Sequence, residues 1–157
     1  MSLGRNASVV LLTAMLLVPA DVLAEEDAIL DVQAWFVSYG DLWWEPTSES
    51  LARIKAHYQL PYYLLLETGP TLMDGAALDR FLDSVGRAEN WSGSRIVRAT
   101  VSLLNSSSAR IEAEWQDFDG SGKPARPCFA YEYAVGKFGR DWKILAATQR
   151  PCPMEEE

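Results

Sequence analysis

The sequence is poor in the side chains that most often carry chemistry or bind nucleic acids. Its 157 residues include one histidine, His57, and two cysteines, Cys128 and Cys152. They include 14 lysines and arginines against 22 aspartates and glutamates, so the formal net charge is −8 at pH 7. Phosphates and anionic membrane surfaces are bound by basic patches. We therefore expect neither nucleic acid nor a membrane surface as a partner.

The motifs of several large enzyme classes are also missing. The sequence contains no GxSxG, P-loop, GxGxxG or HExxH pattern, so no motif predicts a serine hydrolase, a nucleotide-binding protein or a zinc peptidase. Residues 117–122 place oxygens as a calcium loop does, but the twelfth position is Cys128 instead of glutamate. The Asp-Gly and Ser-Gly pairs in this segment are typical of turns. We predict no cofactor and no metal site.

Long apolar runs are scarce, and the longest is too short to cross a bilayer. Residues 9–18 form a mostly apolar run of about ten residues, whereas a membrane-spanning helix needs about 20. An arginine precedes the run, and a Val-Leu-Ala sequence at 22–24 precedes three acidic residues. We interpret residues 1–24 as a signal peptide and expect an exported protein, periplasmic or secreted. An uncleaved anchor helix is the alternative, which Pro19 and Asp21 disfavour.

Export determines how the two cysteines are interpreted. In an oxidising compartment, Cys128 and Cys152 favour a disulfide, which would close a loop of about 25 residues and stabilise the fold by about 3 kcal/mol. A reactive thiol pair is the alternative, but the spacing is not that of a CxxC motif. Residues 25–152 have the length of one domain. Residues 153–157 are interpreted as an acidic tail.

Three segments have helical periodicity. Apolar residues at steps of three and four predict a first helix from residue 25 that Pro46 ends, and a second helix that ends before Pro61. A third helix begins at Asp74, which can cap it, and ends near Gly86. The predicted apolar faces consist of Ile29, Val32, Phe36, Tyr39 and Trp43 in the first helix, of Leu51, Ile54 and Tyr58 in the second, and of Leu78, Phe81, Leu82 and Val85 in the third.

Other segments have the pattern of strands. Residues 62–66 are an apolar, aromatic-rich run bounded by proline and glycine, which predicts the first strand. Alternation predicts four further strands at 95–104, 110–118, 127–135 and 142–148. This order predicts an α+β fold, with the N-terminal helices packed on one face of a curved, mainly antiparallel sheet.

Four segments carry a resemblance to a known superfamily. They are the aromatic first helix at 35–44, the Thr-Leu-Met-Asp-Gly entry to the third helix at 71–75, the Asp-Gly turn at 119–120 and the closing segment 139–144. Over residues 25–150 the chain resembles the nuclear transport factor 2-like superfamily, and in particular its SnoaL-like branch. The resemblance implies a cystatin-like cone around a central apolar pocket. It also implies a homodimer, because dimerisation across the open sheet face is common among its members.

The resemblance implies functions as well, but it does not choose among them. Members include isomerases, dehydratases, cyclases and epoxide hydrolases, beside non-catalytic binding and dimerisation modules. The isomerases use a tyrosine hydroxyl and carboxylic acids in an apolar cavity, for which Tyr39 and Glu132 are the nearest counterparts. The predicted pocket residues are Tyr39, Trp43, His57, Tyr58, Trp115, Tyr131 and Glu132.

Two of these residues have alternative interpretations. His57 could act as a general base, line the pocket, or stabilise the end of a helix as a cation. Glu132 and its neighbour Tyr131 point to opposite faces of a strand, so they cannot both face a pocket, and Glu132 fits an ordinary solvated charge as well.

The sequence favours a protein that binds a small, mostly apolar ligand in the cone without catalysis, because aromatic residues are plentiful and no acid–base pair is convincing. An isomerase or dehydratase in the same pocket is one alternative, with His57 or Glu132 as base and Tyr39 polarising an oxygen. A dimeric protein-interaction module with a filled cavity is the other.

Overall fold

The computed structural model describes residues 20–152, and side chains from residue 26 onward. Within that range the elements are α1 (Ala20–Asp41), α2 (Ser48–Lys55), β1 (Tyr58–Leu66), β2 (Gly69–Met73), α3 (Gly75–Gly86), β3 (Gly93–Asn105), β4 (Ser108–Phe118), β5 (Phe129–Phe138) and β6 (Asp141–Arg150). Most of the predicted signal peptide and all of the predicted acidic tail lie outside the described residues. None of the helices between residues 20 and 152 is long and apolar enough to cross a membrane.

The six strands form one mixed sheet in the order β2-β1-β6-β5-β4-β3. Every neighbouring pair is antiparallel except β1 and β6, which are parallel. The predicted α+β architecture with a mainly antiparallel sheet is therefore confirmed. β2 and β3 are the edge strands, and α1 lies against β3 on the inner face of the sheet.

The two faces of the sheet differ in the way that alternation predicts. On β4, Ile111 and Trp115 are buried, whereas Glu112 lies on the opposite face and is exposed. The inner face packs against α1, where Val32 and Phe36 are buried. The outer face is charged across β3, β4 and β5.

Side-chain caps fix where the shorter helices begin. Thr47 and Ser50 bond each other's backbone in a capping box at the start of α2. Asp74 accepts the Ala77 N–H at 2.8 Å at the start of α3, as predicted. On the predicted apolar face of α3, Leu78 and Leu82 are buried, whereas Phe81 is 39% exposed. The main contacts of α3 are with α2 and β2, which cover part of that face.

β1 begins earlier than the sequence predicts. Tyr58, which the periodicity assigns to the second helix, opens β1 and pairs with Ile144 of β6. Pro61 lies inside the strand instead of preceding it. The register between β1 and β6 shifts between Tyr58 and Tyr63, so the proline falls in the irregular stretch, where its missing N–H breaks no ladder.

The sequence does not predict β2, which forms a hairpin with β1. The hairpin runs from the Leu66–Gly69 pair to the Tyr62–Met73 pair, and Gly69 has a φ of 121°. Pro70 disfavours a strand at this point, but β2 is an edge strand, and there a missing N–H is tolerated.

The predicted disulfide is confirmed. Cys128 and Cys152 are bonded, and their Cα atoms lie 6.1 Å apart. The bond joins the residue before β5 to the chain just after β6. It closes the open end of that hairpin, beside the segment that links β4 to β5.

Candidate functional site

The inner face of the sheet and α1 enclose a cluster of rings that we call the aromatic core. Tyr39 lies at its centre, with its ring centroid between 5.4 and 6.4 Å from those of seven other rings. Side chains therefore fill the interior. The aromatic core comprises Phe36, Tyr39, Trp43, Tyr58, Tyr62, Trp115 and Tyr133.

Phenol hydroxyls meet inside the aromatic core. The hydroxyl oxygens of Tyr39 and Tyr58 are 2.7 Å apart and share a hydrogen bond. Burial raises the pKa of Tyr39 to about 12, and it raises the pKa values of Tyr58 and Tyr133 well above their usual range. These tyrosines stay neutral at physiological pH. They can donate or accept hydrogen bonds, but they cannot serve as bases.

Two indole groups add further donors. Nε1 of Trp43 and Nε1 of Trp115 are buried and have no hydrogen-bond partner among the described residues. Both rings lie edge-on to Tyr39, with centroids 6.2 and 6.1 Å away. The interior thus combines indole N–H donors with neutral hydroxyls, a set that suits an oxygen atom.

His57 lies between α2 and β1, as predicted, and borders the aromatic core. Its Nδ1 is 2.9 Å from the Arg53 carbonyl oxygen, and its ring is 5.4 Å from Tyr39 and 5.6 Å from Trp35. Burial lowers the pKa of His57, and the charges of Lys143 and Arg53 lower it further. The ring is therefore neutral at pH 7, and desolvation outweighs the helix end that would favour a cation.

Six of the seven predicted pocket residues lie together, and Glu132 lies apart. Tyr131 is half-buried, with its ring 5.9 Å from Tyr133 on the inner face. Glu132 points to the outer face, where it accepts a hydrogen bond of 2.7 Å from Arg150. Of the two alternatives that strand alternation left open, the tyrosines face inward and the glutamate outward.

A groove that the sequence does not predict lies between α1 and β3. We call it the α1–β3 groove; its volume is about 750 Å³. Phe36 belongs to both sites, since it lines the groove and its ring lies 5.3 Å from that of Tyr133 in the aromatic core. The lining residues are Gln33, Phe36, Val37, Gly40, Asp41 and Trp44 from α1 and the turn after it, and Arg95, Ile96, Ala99 and Val101 from β3.

The residues of α1 that line the groove have a helical spacing that is visible in the sequence. Its residues recur at steps of three and four, which places them on one stripe of the helix beside the buried stripe. Gly40 lets β3 approach, because a Cβ at this position would collide with Cδ1 of Ile96. The sequence gives no sign of which strand meets this stripe, so the groove itself could not be predicted.

Polar groups occupy part of the groove wall. The Arg95 guanidinium carbon lies 3.5 Å from the centre of the Trp44 ring. Side chains of Gln33, Asp41 and Arg95 make no hydrogen bond or ion pair within residues 26–152. Trp44 lines the groove, whereas the adjacent Trp43 is buried in the aromatic core. The two neighbouring tryptophans therefore lie in different environments.

A second depression, of about 450 Å³, lies on the outer face. Four of its charged residues pair with one another, Arg98 with Glu114 and Arg150 with Glu132, and the fifth, Glu112, pairs with Arg110. Because these charged groups are already paired, the depression has fewer polar groups free to bind a ligand than the groove has.

Comparison with known proteins identifies the fold. No protein-family model and no curated protein matches the chain. An NTF2-like protein with a cystatin-like fold from Novosphingobium aromaticivorans is similar at a TM-score of 0.64 and 12% identity, over 87% of this chain and 90% of that one. A provisionally named scytalone dehydratase from the same organism is similar at a TM-score of 0.62 and 11% identity, over 82% of this chain and 87% of that one.

A third solved structure extends the likeness to another genus. An NTF2-like protein of unknown function from Shewanella oneidensis has a TM-score of 0.56 and 14% identity, over 80% of this chain and 98% of its own. Identities this low concern the fold and not the activity. The chain has a cystatin-like fold similar to that of these proteins, and this is the fold that the resemblance in its sequence implies.

Proposed function

We propose that this chain binds a small, mostly apolar ligand in the α1–β3 groove without catalysing a reaction. The observation that carries the proposal is the groove itself. Its volume of about 750 Å³ lies within the range of about 300–1,000 Å³ found for small-molecule sites. Apolar side chains form most of its walls, and a few polar groups are available to orient a ligand.

The groove suits a ligand better than the interior does. Rings from α1 and from the strands of the sheet pack against Tyr39. A ligand in the interior would have to displace these rings. The groove is open and needs no such rearrangement. Its wall at Phe36 is rigid, because the same ring packs into the aromatic core.

An isomerase or dehydratase is the second candidate. The hydrogen-bonded pair of Tyr39 and Tyr58 beside His57 favours it, and one structural relative carries the name of a dehydratase. However, the predicted carboxylate Glu132 lies on the outer face and is paired with Arg150. The positions of these groups favour binding over catalysis.

The proposal is tested by filling the groove. Ala99→Trp places a large ring between β3 and α1, and it should weaken binding of the neutral probe N-phenyl-1-naphthylamine at least tenfold in a fluorescence titration. Val97→Trp is the matched control, because Val97 is 65% exposed on the same strand and does not line the groove. Tyr39→Phe, which changes only the interior, should leave the Kd within twofold. Equal binding by wild type and Ala99→Trp would contradict the proposal.

Export to an oxidising compartment is part of the same proposal. The predicted signal peptide motivates it, and the disulfide between Cys128 and Cys152 supports it. Disulfides persist in periplasmic and secreted proteins and are rare in the reducing cytosol.

We also infer a homodimer that pairs through the outer face of the sheet. Tyr63 and Leu72 are neighbours on this face, 56% and 53% exposed. The β4 and β5 side of the face carries arginines and glutamates in ion pairs, among them Arg98 with Glu114. A face with an apolar part and charges of both signs is complementary to its own copy under a two-fold axis.

Leu72→Glu tests this dimer. A charge placed in the apolar part of the interface is expected to weaken dimerisation at least tenfold, because the carboxylate would lose its water without gaining a partner. Light scattering after size-exclusion chromatography would then give the mass of a dimer for wild type and of a monomer for Leu72→Glu. Leu30→Glu is the control, since Leu30 is 61% exposed on α1, which packs on the inner face of the sheet. A monomeric wild type at about 50 µM would rule the dimer out.

A further inference from the structure

We propose that the ligand of the α1–β3 groove is an apolar monocarboxylate, with its carboxylate bound by Arg95. The inference rests on the proposed function of the groove and goes one step beyond it, by naming the chemical class of the ligand. It is carried by the placement and surroundings of Arg95 together with the apolar walls that continue from it.

Arg95 is held in place before any ligand arrives. Its guanidinium stacks on the Trp44 ring, and that ring packs edge-on against Phe118 with centroids 5.4 Å apart. Backbone pairing fixes the same region: Trp44 bridges Gly93, and the Ser94 N–H donates to the Trp43 carbonyl at 2.8 Å. A stacked guanidinium keeps the donors along its edges free for a carboxylate, which it can bind through two parallel hydrogen bonds.

Among the arginines of the described strands, Arg95 is the one without a carboxylate partner. Arg98 pairs with Glu114, Arg110 with Glu112, and Arg150 with Glu132. Arg95 has only the Trp44 ring. A positioned guanidinium without an ion-pair partner is complementary to an anion.

The apolar part of the ligand has a place next to this charge. Ile96, Ala99 and Val101 follow Arg95 along β3, and Phe36 and Val37 face them from α1. Val101 lies six positions after Arg95, a distance of about 20 Å along a strand. The groove thus has a cationic end and a long apolar wall, which is the pattern of a carboxylate with a hydrocarbon body.

Asp41 lines the same groove and makes it possible to test the sign of the charge on the ligand's head group. Its carboxylate would repel an anionic head group, so removing its charge should strengthen the binding of a carboxylate. A cationic or zwitterionic head group would instead be attracted to Asp41, and the same change would weaken its binding. For a carboxylate ligand, removing the charge of Arg95 should therefore weaken binding, whereas removing the charge of Asp41 should strengthen it.

The experiment compares decanoate with 1-decanol, which share a hydrocarbon chain and differ in charge. Each is titrated below its aggregation concentration into the full chain, with displacement of N-phenyl-1-naphthylamine as the readout. Wild type is expected to bind decanoate at least tenfold more tightly than 1-decanol. Arg95→Gln should abolish that preference while leaving the 1-decanol Kd within twofold, and Arg95→Lys should restore part of it. Asp41→Asn should tighten decanoate binding about threefold.

A matched control lies on the same strand. Arg98 belongs to the outer face and pairs with Glu114, so Arg98→Gln should leave the preference for decanoate unchanged. Circular dichroism confirms that each variant is folded before its titration is interpreted.

The outcomes separate this inference from the function on which it rests. Equal binding of decanoate and 1-decanol by wild type, or a preference that survives Arg95→Gln, overturns the carboxylate assignment and leaves the groove as a binding site. Weaker decanoate binding by Asp41→Asn overturns it as well. Displacement by neither ligand, combined with probe binding that Ala99→Trp does not reduce, overturns the proposed function itself.

Discussion

Phe36→Ala is expected to lower the free energy of unfolding by about 3–5 kcal/mol. Phe36 is 2% exposed, and its ring packs between Tyr133, Tyr39 and Trp115 at centroid distances of 5.3–6.4 Å. Removing it forfeits the burial of the ring and leaves a cavity, because the rigid rings around it cannot close the space. Since a domain of this size is stable by about 5–15 kcal/mol, the variant loses a large part of its stability.

Urea unfolding followed by far-UV circular dichroism measures this loss. Val37→Ala is the control on the same helix, since Val37 is 59% exposed and should change the stability by no more than about 0.5 kcal/mol. Phe36→Leu keeps much of the volume and should lose less than alanine does, which provides a measurement if Phe36→Ala does not fold. A loss below about 1 kcal/mol for Phe36→Ala would mean that the aromatic core is not packed as described.

Replacing both Cys128 and Cys152 with serine should lower the free energy of unfolding by about 3 kcal/mol. The bond joins residues 24 positions apart, and in the chain-entropy model it stabilises the fold by restricting the unfolded chain. Both residues lie at the end of the β5–β6 hairpin, away from the aromatic core, so the substitution should leave the packing of the interior intact.

Reductant supplies the control for the disulfide. With dithiothreitol, wild type should unfold at the same urea concentration as the serine variant without it, and the variant should not respond to reductant. If the serine variant were as stable as oxidised wild type, the bond would contribute nothing and the prediction would be wrong. Denatured mass measurements before and after reduction show that the bond is present in the starting material.

Much of the sheet could be predicted because its pattern is local. On β4, Ile111 and Glu112 belong to two alternating sets whose burial matches the alternation in the sequence. The start of α3 follows from the side chain of Asp74, which bonds a backbone group three residues away. In these places the residues that determine the structure are neighbours in the chain.

The missed elements depend on distant partners. Tyr58 continues the helical spacing of Leu51 and Ile54, but it joins a strand because Ile144 lies beside it in the fold. Pro70 weakens the strand pattern of β2, and only the position of β2 at the sheet edge makes it acceptable. The local periodicity of the sequence shows neither the pairing of Tyr58 with Ile144 nor the position of β2 at the edge of the sheet.

The site divides in the same way. The sequence predicts aromatic residues around a central pocket in the cone, but it does not predict that their rings fill the interior around Tyr39. Strand alternation predicts that Glu132 and Tyr131 face opposite sides, but not which side is inner, since that depends on where α1 packs. The groove depends on the approach of Gly40 to Ile96, across more than 50 residues of chain, so no local pattern contains it.

The position of β6 within the sheet has a consequence for the order in which this chain can fold. β6 follows the other five described strands in the sequence, yet it lies between β1 and β5 and joins the β1–β2 hairpin to the rest of the sheet. The meander of β3, β4 and β5 can form from neighbouring segments, whereas the hairpin has no strand to join until residues 141–150 have left the ribosome. Until β6 is available, the aromatic and leucine side chains of the hairpin lack their neighbouring strand, and such uncovered strands are prone to aggregate.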